Sequence, residues 1–241
     1  MNQKTVVPFV LVLSLVAFTS CFDWFGTTGK GNIVTEIRPV TEFQSIELLT
    51  SADVEIQKGD TFMVEVSDYE NIIQNLSVVV ANRNLLISVT PNSAILKNSK
   101  AHVKIIMPDS LISVSITGSG DIKLDAAFKD LKKFFISGSG SILATQNLNI
   151  AGLDASILGS GNITAQGKVK ALKALTSGSG SLFFAGLVAE TADCTITGSG
   201  NMFVNVTTAL NAKLTGSGNI EYSGSPTITA ETVGSGVVRP K

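Results

Sequence analysis

The sequence predicts an all-β solenoid, a β-helix-like rod of coils about 20 residues long, and three observations carry that expectation. The tripeptide Gly-Ser-Gly begins at Gly118, Gly138, Gly159, Gly178, Gly198, Gly216 and Gly234, at intervals of 20, 21, 19, 20, 18 and 18 residues. Two residues before each copy stand Ile116, Ile136, Ile157, Thr176, Ile196, Leu214 and Thr232, and two residues after it Ile122, Ile142, Ile163, Leu182, Met202, Ile220 and Val238. Apolar or β-branched columns held at a fixed period mark supersecondary repeats that bury their faces by stacking. Composition agrees: 44% of residues are apolar and only 15% charged, so neutral Ser, Thr and Asn cover the surface, as suits strands and turns. A formal net charge of -1 speaks against a nucleic-acid partner and against an acidic tail.

Taken from the N-terminus, Lys4 precedes an apolar run from Val6 to Phe18 broken only by Pro8 and Ser14. The run is too short to cross a bilayer as a helix and has the form of an export signal. It ends in Phe18-Thr19-Ser20-Cys21, which resembles the lipobox of bacterial lipoproteins, with Phe18 in place of the usual Leu. The resemblance implies that residues 1–20 are a lipoprotein signal peptide and that Cys21 is diacylated and becomes the first mature residue. The alternatives are an ordinary secretory signal or a buried strand. With Cys21 acylated, Cys194 has no partner for a disulfide, and alternation turns it inward beside Ile196 as a small buried thiol. Residues 21–32, with Trp24 and the run Gly26-Thr27-Thr28-Gly29-Lys30-Gly31, read as a lipidated, flexible tether.

From Ile33 the pattern is β. Ser45–Leu48, Asp53–Ile56, Phe62–Val66, Leu76–Val80, Leu85–Val89 and Val103–Met107 alternate or run apolar over strand lengths. Tyr69–Leu76 is the one candidate helical turn, with Ser67 or Asp68 as its cap. Thr50-Ser51-Ala52-Asp53-Val54-Glu55-Ile56 matches Thr117–Leu124 with one corner residue missing. Residues 33–241 therefore read as one solenoid domain, with irregular N-terminal coils over 33–110 that cap its open end and regular repeats over 111–241.

Fourteen of the 22 glycines lie in the tripeptides. A coil corner must turn within two or three residues, where a positive φ and close stacking both favour Gly. The next residue is Asp121, Ser141, Asn162, Ser181, Asn201, Asn219 or Val237, and the short polar side chains are expected to form a hydrogen-bonded ladder.

Val103-Lys104-Ile105-Ile106-Met107-Pro108, then Leu111–Thr117 and the tandem units typified by Gly-Ser-Gly-Asn-Ile at 159–163, resemble the putative auto-transporter adhesin head GIN domain family. The resemblance runs from about Ile37 to the C-terminus. It implies a right-handed parallel β-helix carried by a cell-envelope lipoprotein, and it brings no catalytic residues.

A phosphate loop needs a helix after the glycines, and β residues follow every copy here. Calcium-binding β-rolls carry an Asp in each nonapeptide, and only Asp121 fits. The alternative function is a carbohydrate-active β-helix enzyme acting on polysaccharide, which needs paired carboxylates. Asp121, Asp125, Asp130, Asp154, Glu190, Asp193, Glu221 and Glu231 do not share a column on adjacent coils, and Tyr222 is the only Tyr or Trp in the repeats. The lone His102 precedes an apolar strand and reads as a surface or edge residue more than a base. Lys129 and Lys132, and Lys170 and Lys173, sit 11 and 14 residues after their glycines, a phase that would place both pairs on one side of the rod to meet anionic glycan or lipid headgroups, or simply as solvated lysines. The expectation is a non-catalytic, lipid-anchored envelope protein without catalytic residues, cofactor or metal. Its expected partners are the membrane, through its lipid, and glycans or envelope proteins.

Overall fold

A computed structural model describes residues 26–91 and 95–241. The expected signal peptide and Cys21 lie outside the described residues. The strands are β1 (Thr27–Thr28), β2 (Ile33–Arg38), β3 (Ser45–Leu48), β4 (Asp53–Lys58), β5 (Met63–Tyr69), β6 (Leu76–Ala81), β7 (Asn84–Val89), β8 (Leu96–Lys97), β9 (His102–Met107) and β10 (Ser113–Ile116). They continue as β11 (Ile122–Leu124), β12 (Lys133–Ile136), β13 (Ile142–Ile157), β14 (Asn162–Gly178), β15 (Ser181–Gly198), β16 (Asn201–Gly216), β17 (Asn219–Ser223), β18 (Thr227–Gly234) and β19 (Val238–Pro240). From β10 onward every pairing between neighbouring coils is parallel. The repeat region is a parallel β-solenoid.

The two sequence columns are the spine of this stack. Ile122 pairs with Ile142, Ile142 with Ile163, Ile163 with Leu182, Leu182 with Met202 and Met202 with Ile220, and all six are buried. Within one coil, Ile163, Ala165, Val169, Leu172, Ala174 and Thr176 face inward. Strict alternation slips at 166–168 and at 170–171. Those two bends and the Gly-Ser-Gly corner divide the coil into three flat sides, 162–165, 167–170 and 171–177. Thr176 is the exception to an apolar interior: its hydroxyl is buried without a hydrogen-bond partner.

Positive φ is not the common requirement at the corners. It occurs at Gly178, Gly198, Gly216 and Gly234 (φ 122° to 136°), and the first glycines of the three earlier tripeptides do without it. What all the corners share is lack of space. A β-carbon on Gly138 would lie 2.0 Å from the Gly118 carbonyl oxygen, and one on Gly218 2.0 Å from that of Gly200. The expected polar ladder exists, with Asn219 Nδ2 donating to Asn201 Oδ1 at 3.2 Å, but its recurring rungs join side chain to backbone. Asp53, Asp121, Asn162, Ser181, Asn201 and Asn219 each accept the backbone N–H of the corner residue on the next coil, at 2.7 to 3.4 Å.

The N-terminal strands β3 and β4 pair in parallel with the first repeat strands. Leu48 pairs with Ile116, Val54 with Ile122 and Ile56 with Leu124, as the match of Thr50–Ile56 to Thr117–Leu124 requires. The coils do not follow chain order, however. β3 and β4 lie between β10 and β11 on one side and β7 and β9 on the other. β5 runs antiparallel to β9 and to β2, and β6 antiparallel to β7. These antiparallel strands close the end, with Phe43 buried against Phe62 at 5.0 Å between ring centroids. The helical turn is a 3₁₀ turn, Ile73–Asn75, without a side-chain cap. Asp68 is instead buried and accepts from the backbone N–H of Tyr69 and Lys100 and from the Ser99 hydroxyl. Residues 26–32, read from sequence as part of the tether, lie against the domain. Thr27 and Gly29 donate backbone N–H to Ile95 and Lys97 at 2.9 and 2.8 Å, and Gly29 is buried against Tyr69 and Ile72.

Candidate binding face

On the first side of each coil, the residue following the inward column must point outward. Stacking lines these residues up as Glu65, Lys104, Glu55, Lys123, Leu143, Thr164, Phe183, Phe203, Glu221 and Arg239. Both ends of this column are charged and its middle is apolar. Leu143 and Phe183 are 41% and 42% exposed and stand on either side of Thr164 in this column, so their hydrocarbon is presented on one face of the rod. Leu143, Thr164, Gln166, Phe183, Phe203 and Lys241 line an open groove of about 600 Å³.

The Phe183 and Phe203 rings are nearly parallel, 6° apart, with centroids 5.4 Å from each other. Parallel rings so close are offset-stacked along the rod. They cannot lie side by side in one plane, so they offer edges more than flat faces to solvent. That geometry suits a flexible hydrocarbon better than the face of a sugar ring.

Below Leu143 the groove continues into a hollow of about 400 Å³ bordered by Asp53, Glu55, His102, Asp121 and Lys123. Lys123 Nζ lies 3.0 Å from both carboxylate oxygens of Asp125. This pairing holds the Asp125 carboxyl below its ordinary value and raises the Lys123 ammonium above its own. His102 is an exposed surface residue at the start of β9, paired on both sides, with its Nε2 4.0 Å from Glu55. Asp53 and Asp121 do sit in one column on adjacent coils, a pairing the sequence reading missed because Asp53 lies outside the repeats. Both accept backbone N–H groups in the corner ladder, which makes them structural acceptors. Among the described residues no group of three or more His, Cys, Asp or Glu is placed to hold a metal ion.

The lysine pattern needs correction. Lys173 pairs with Asp154, which pairs with Lys133, so Lys132 is one residue out of that column. Register breaks within the coils shift the phase counted from each glycine. The column on the third side reads Lys133, Asp154, Lys173, Asp193, Asn211, alternating in sign and closed by an Asn211 to Asp193 hydrogen bond of 3.2 Å. It is no cationic patch. Cys194 faces inward as expected, 1% exposed, and burial first, then the neighbouring Asp193, pushes its thiol up to about 12. The Phe183 and Phe203 strip was not singled out from sequence, although a signal was there: an apolar residue three positions past a Gly-Ser-Gly faces outward.

Comparison with known proteins follows the same outline. The family described as "putative auto-transporter adhesin, head GIN domain" matches residues 42–226. A solved structure from Parabacteroides distasonis, described as a putative lipid binding protein, aligns with a TM-score of 0.76 and 25% identity over 90% of this chain and 100% of its own. A putative adhesin from Bacteroides fragilis gives 0.81 and 23% over the same shares. One from Parabacteroides merdae gives 0.71 and 21%, over 90% of this chain and 99% of its own. The last two share the fold. No curated protein matches the chain. Among the described residues no helix is long and apolar enough to cross a membrane.

Proposed function

The chain belongs to the putative auto-transporter adhesin head GIN domain family, and from that premise we propose that it is a non-catalytic, lipid-anchored binding module of the cell envelope. Cys21 carries the anchor, and the first side of the rod makes the contact. The observation that carries this reading is the apolar strip Leu143, Phe183 and half-buried Phe203 lining one groove, with the two rings stacked. Its ligand is apolar, the hydrocarbon chain of a lipid. Ring edges and a groove of about 600 Å³ support that choice over a glycan, since sites for small apolar ligands run to a few hundred Å³ with few polar groups. The structure described as a putative lipid binding protein, at 25% identity, points the same way. The polysaccharide-enzyme alternative requires two carboxylates free to act across a cleft, whereas Asp53 and Asp121 are occupied by backbone N–H groups.

Two experiments test it. Labelled palmitate should incorporate into the full chain and not into Cys21→Ser, and labelling that survives the substitution removes the anchor. A fluorescent long-chain fatty acid should bind the soluble chain from Phe22 onward and be lost when Phe183 and Phe203 are both changed to Ser. Those side chains are outward, so the fold should remain. Binding on a glycan array that the same double substitution leaves untouched would overturn the lipid reading.

A further inference from the structure

We propose that the C-terminal end of the rod pairs with the same end of a second copy, β18 against β18, about a two-fold axis through Ala230. The two ends of the stack differ. At the first, antiparallel β2, β5 and β6 fold over the stack, β2 pairing with β5 and β6 with β7. At the other end β18 is bonded to β16 on one side, and among the described residues no strand pairs with its outer edge. Every residue from Thr227 to Gly234 is exposed. Yet Ile228, Ala230 and Thr232 stand in register on the buried Leu210, Ala212 and Leu214. The apolar interior of the rod therefore runs out into water here, with Ile228 39% exposed.

The backbone specifies how this edge can be covered. Each strand residue aims its N–H and C=O to one side, and alternate residues aim to opposite sides. In the repeats the inward residues aim at the following coil: Ile122 donates to the Ser141 carbonyl, and the Ile136 carbonyl accepts from Leu158, both at 2.8 Å. On β18 the unused groups are thus those of Ile228, Ala230 and Thr232. In an antiparallel pair, directly opposed residues share a face and alternate pairs exchange both bonds. With the axis at Ala230, Ala230 faces its own copy and Ile228 faces Thr232, so all three residues on each strand exchange both bonds. The inward faces of the two copies then join into one continuous interior.

The usual guards of an open edge are missing. Thr227–Gly234 has no Pro and no Lys, and its one charge, Glu231, lies 3.9 Å from Lys213 of the coil beneath. β19, the last strand on the first side, is only three residues long and ends in Pro240. A two-fold contact uses each β18 edge once, so this contact joins two copies and no more.

Sedimentation equilibrium of the full-length chain in detergent, across a wide range of protein concentration, should shift from the mass of one chain to that of two. Ala230→Pro should hold it at one chain and, at dilutions where the parent is also a single chain, match its melting temperature, because Pro is tolerated on an edge strand when the missing N–H faces solvent. Chains with Thr229→Cys mixed with chains with Glu231→Cys should give a disulfide-linked dimer, since those positions oppose each other, and neither variant alone should do so readily. A single-chain mass at every concentration, growth beyond two, or a dimer that Ala230→Pro leaves intact would each overturn the proposal. If Ala230→Pro proves unstable, the mixed cross-link decides, and its absence is fatal.

Discussion

A β-carbon placed on Gly161 would lie 1.9 Å from the carbonyl oxygen of Gly140 on the coil before it. That oxygen is backbone in a packed corner and cannot swing away, so Gly161→Ala must push two coils apart. Overpacking of this kind costs about 1–3 kcal/mol or more. Gly152 is the control: its nearest contact would be the Ala171 carbonyl oxygen at 3.7 Å, at a φ that any residue adopts. Gly152→Ala should be neutral or stabilise by about 0.4–1 kcal/mol through the unfolded chain. Chemical denaturation of both variants checks this, and equal destabilisation would contradict it.

Thr176 holds an inward position beneath Ile196 with its hydroxyl unpartnered. Thr176→Val keeps the shape and removes a polar group that is buried without a bond, a state that costs about 1–3 kcal/mol. The variant should melt above the parent. A lower melting temperature would mean that the hydroxyl is satisfied.

Cys194 should resist a thiol-alkylating reagent at neutral pH in the folded protein and react fully in denaturant, because the thiolate is the reactive form. Its folded value of about 12 lies above the ordinary 9.0, so the folded state holds the proton more tightly. That stabilisation is complete below about pH 9 and is lost as pH rises toward 12. Cys194→Ala should flatten this alkaline decline in melting temperature.

Deleting 159–177 removes one coil and seats Gly178 where Gly159 was, in keeping with their register. Since coils contact only their neighbours, the shortened rod should fold cooperatively and lose roughly one repeat and one interface of stability. Deleting 159–168 turns the incoming strand onto the wrong side and should abolish cooperative melting. Circular dichroism against temperature compares the two.

The regular coils were legible because one period of about 20 residues places Ile163 on Ile142 and Leu182 on Ile163 without knowledge of anything remote. The six N-terminal strands were legible for the same local reason, and Leu48 and Val54 could be matched to Ile116 and Ile122 by pattern. What could not be read was that β3 and β4 also carry β7 and β9 on their other side. No periodicity links Leu48 to Ile87, and the choice between neighbours is made by packing of the whole end. The lysine phases failed because bulges such as that between Thr164 and Gly167 absorb residues without changing the stack. The Phe183 strip failed by omission, since only the inward columns were followed.

The placement of β3 and β4 between coils made later in the chain dictates an order of assembly. In the repeats a coil meets its neighbour after one period, but Glu47 meets Asn84 across 37 residues and Ile46 meets Ser115 across 69. Closing the longer loop costs about 1 kcal/mol more than closing a repeat, and it must be closed before the rod has its N-terminal end. The slow step of folding is therefore expected at the N-terminal end, whose contacts span the longest loops. Refolding should slow for Ile116→Ala and keep its rate when 159–177 is deleted, so that the rod's length sets how long it lasts and its capped end sets how soon it exists.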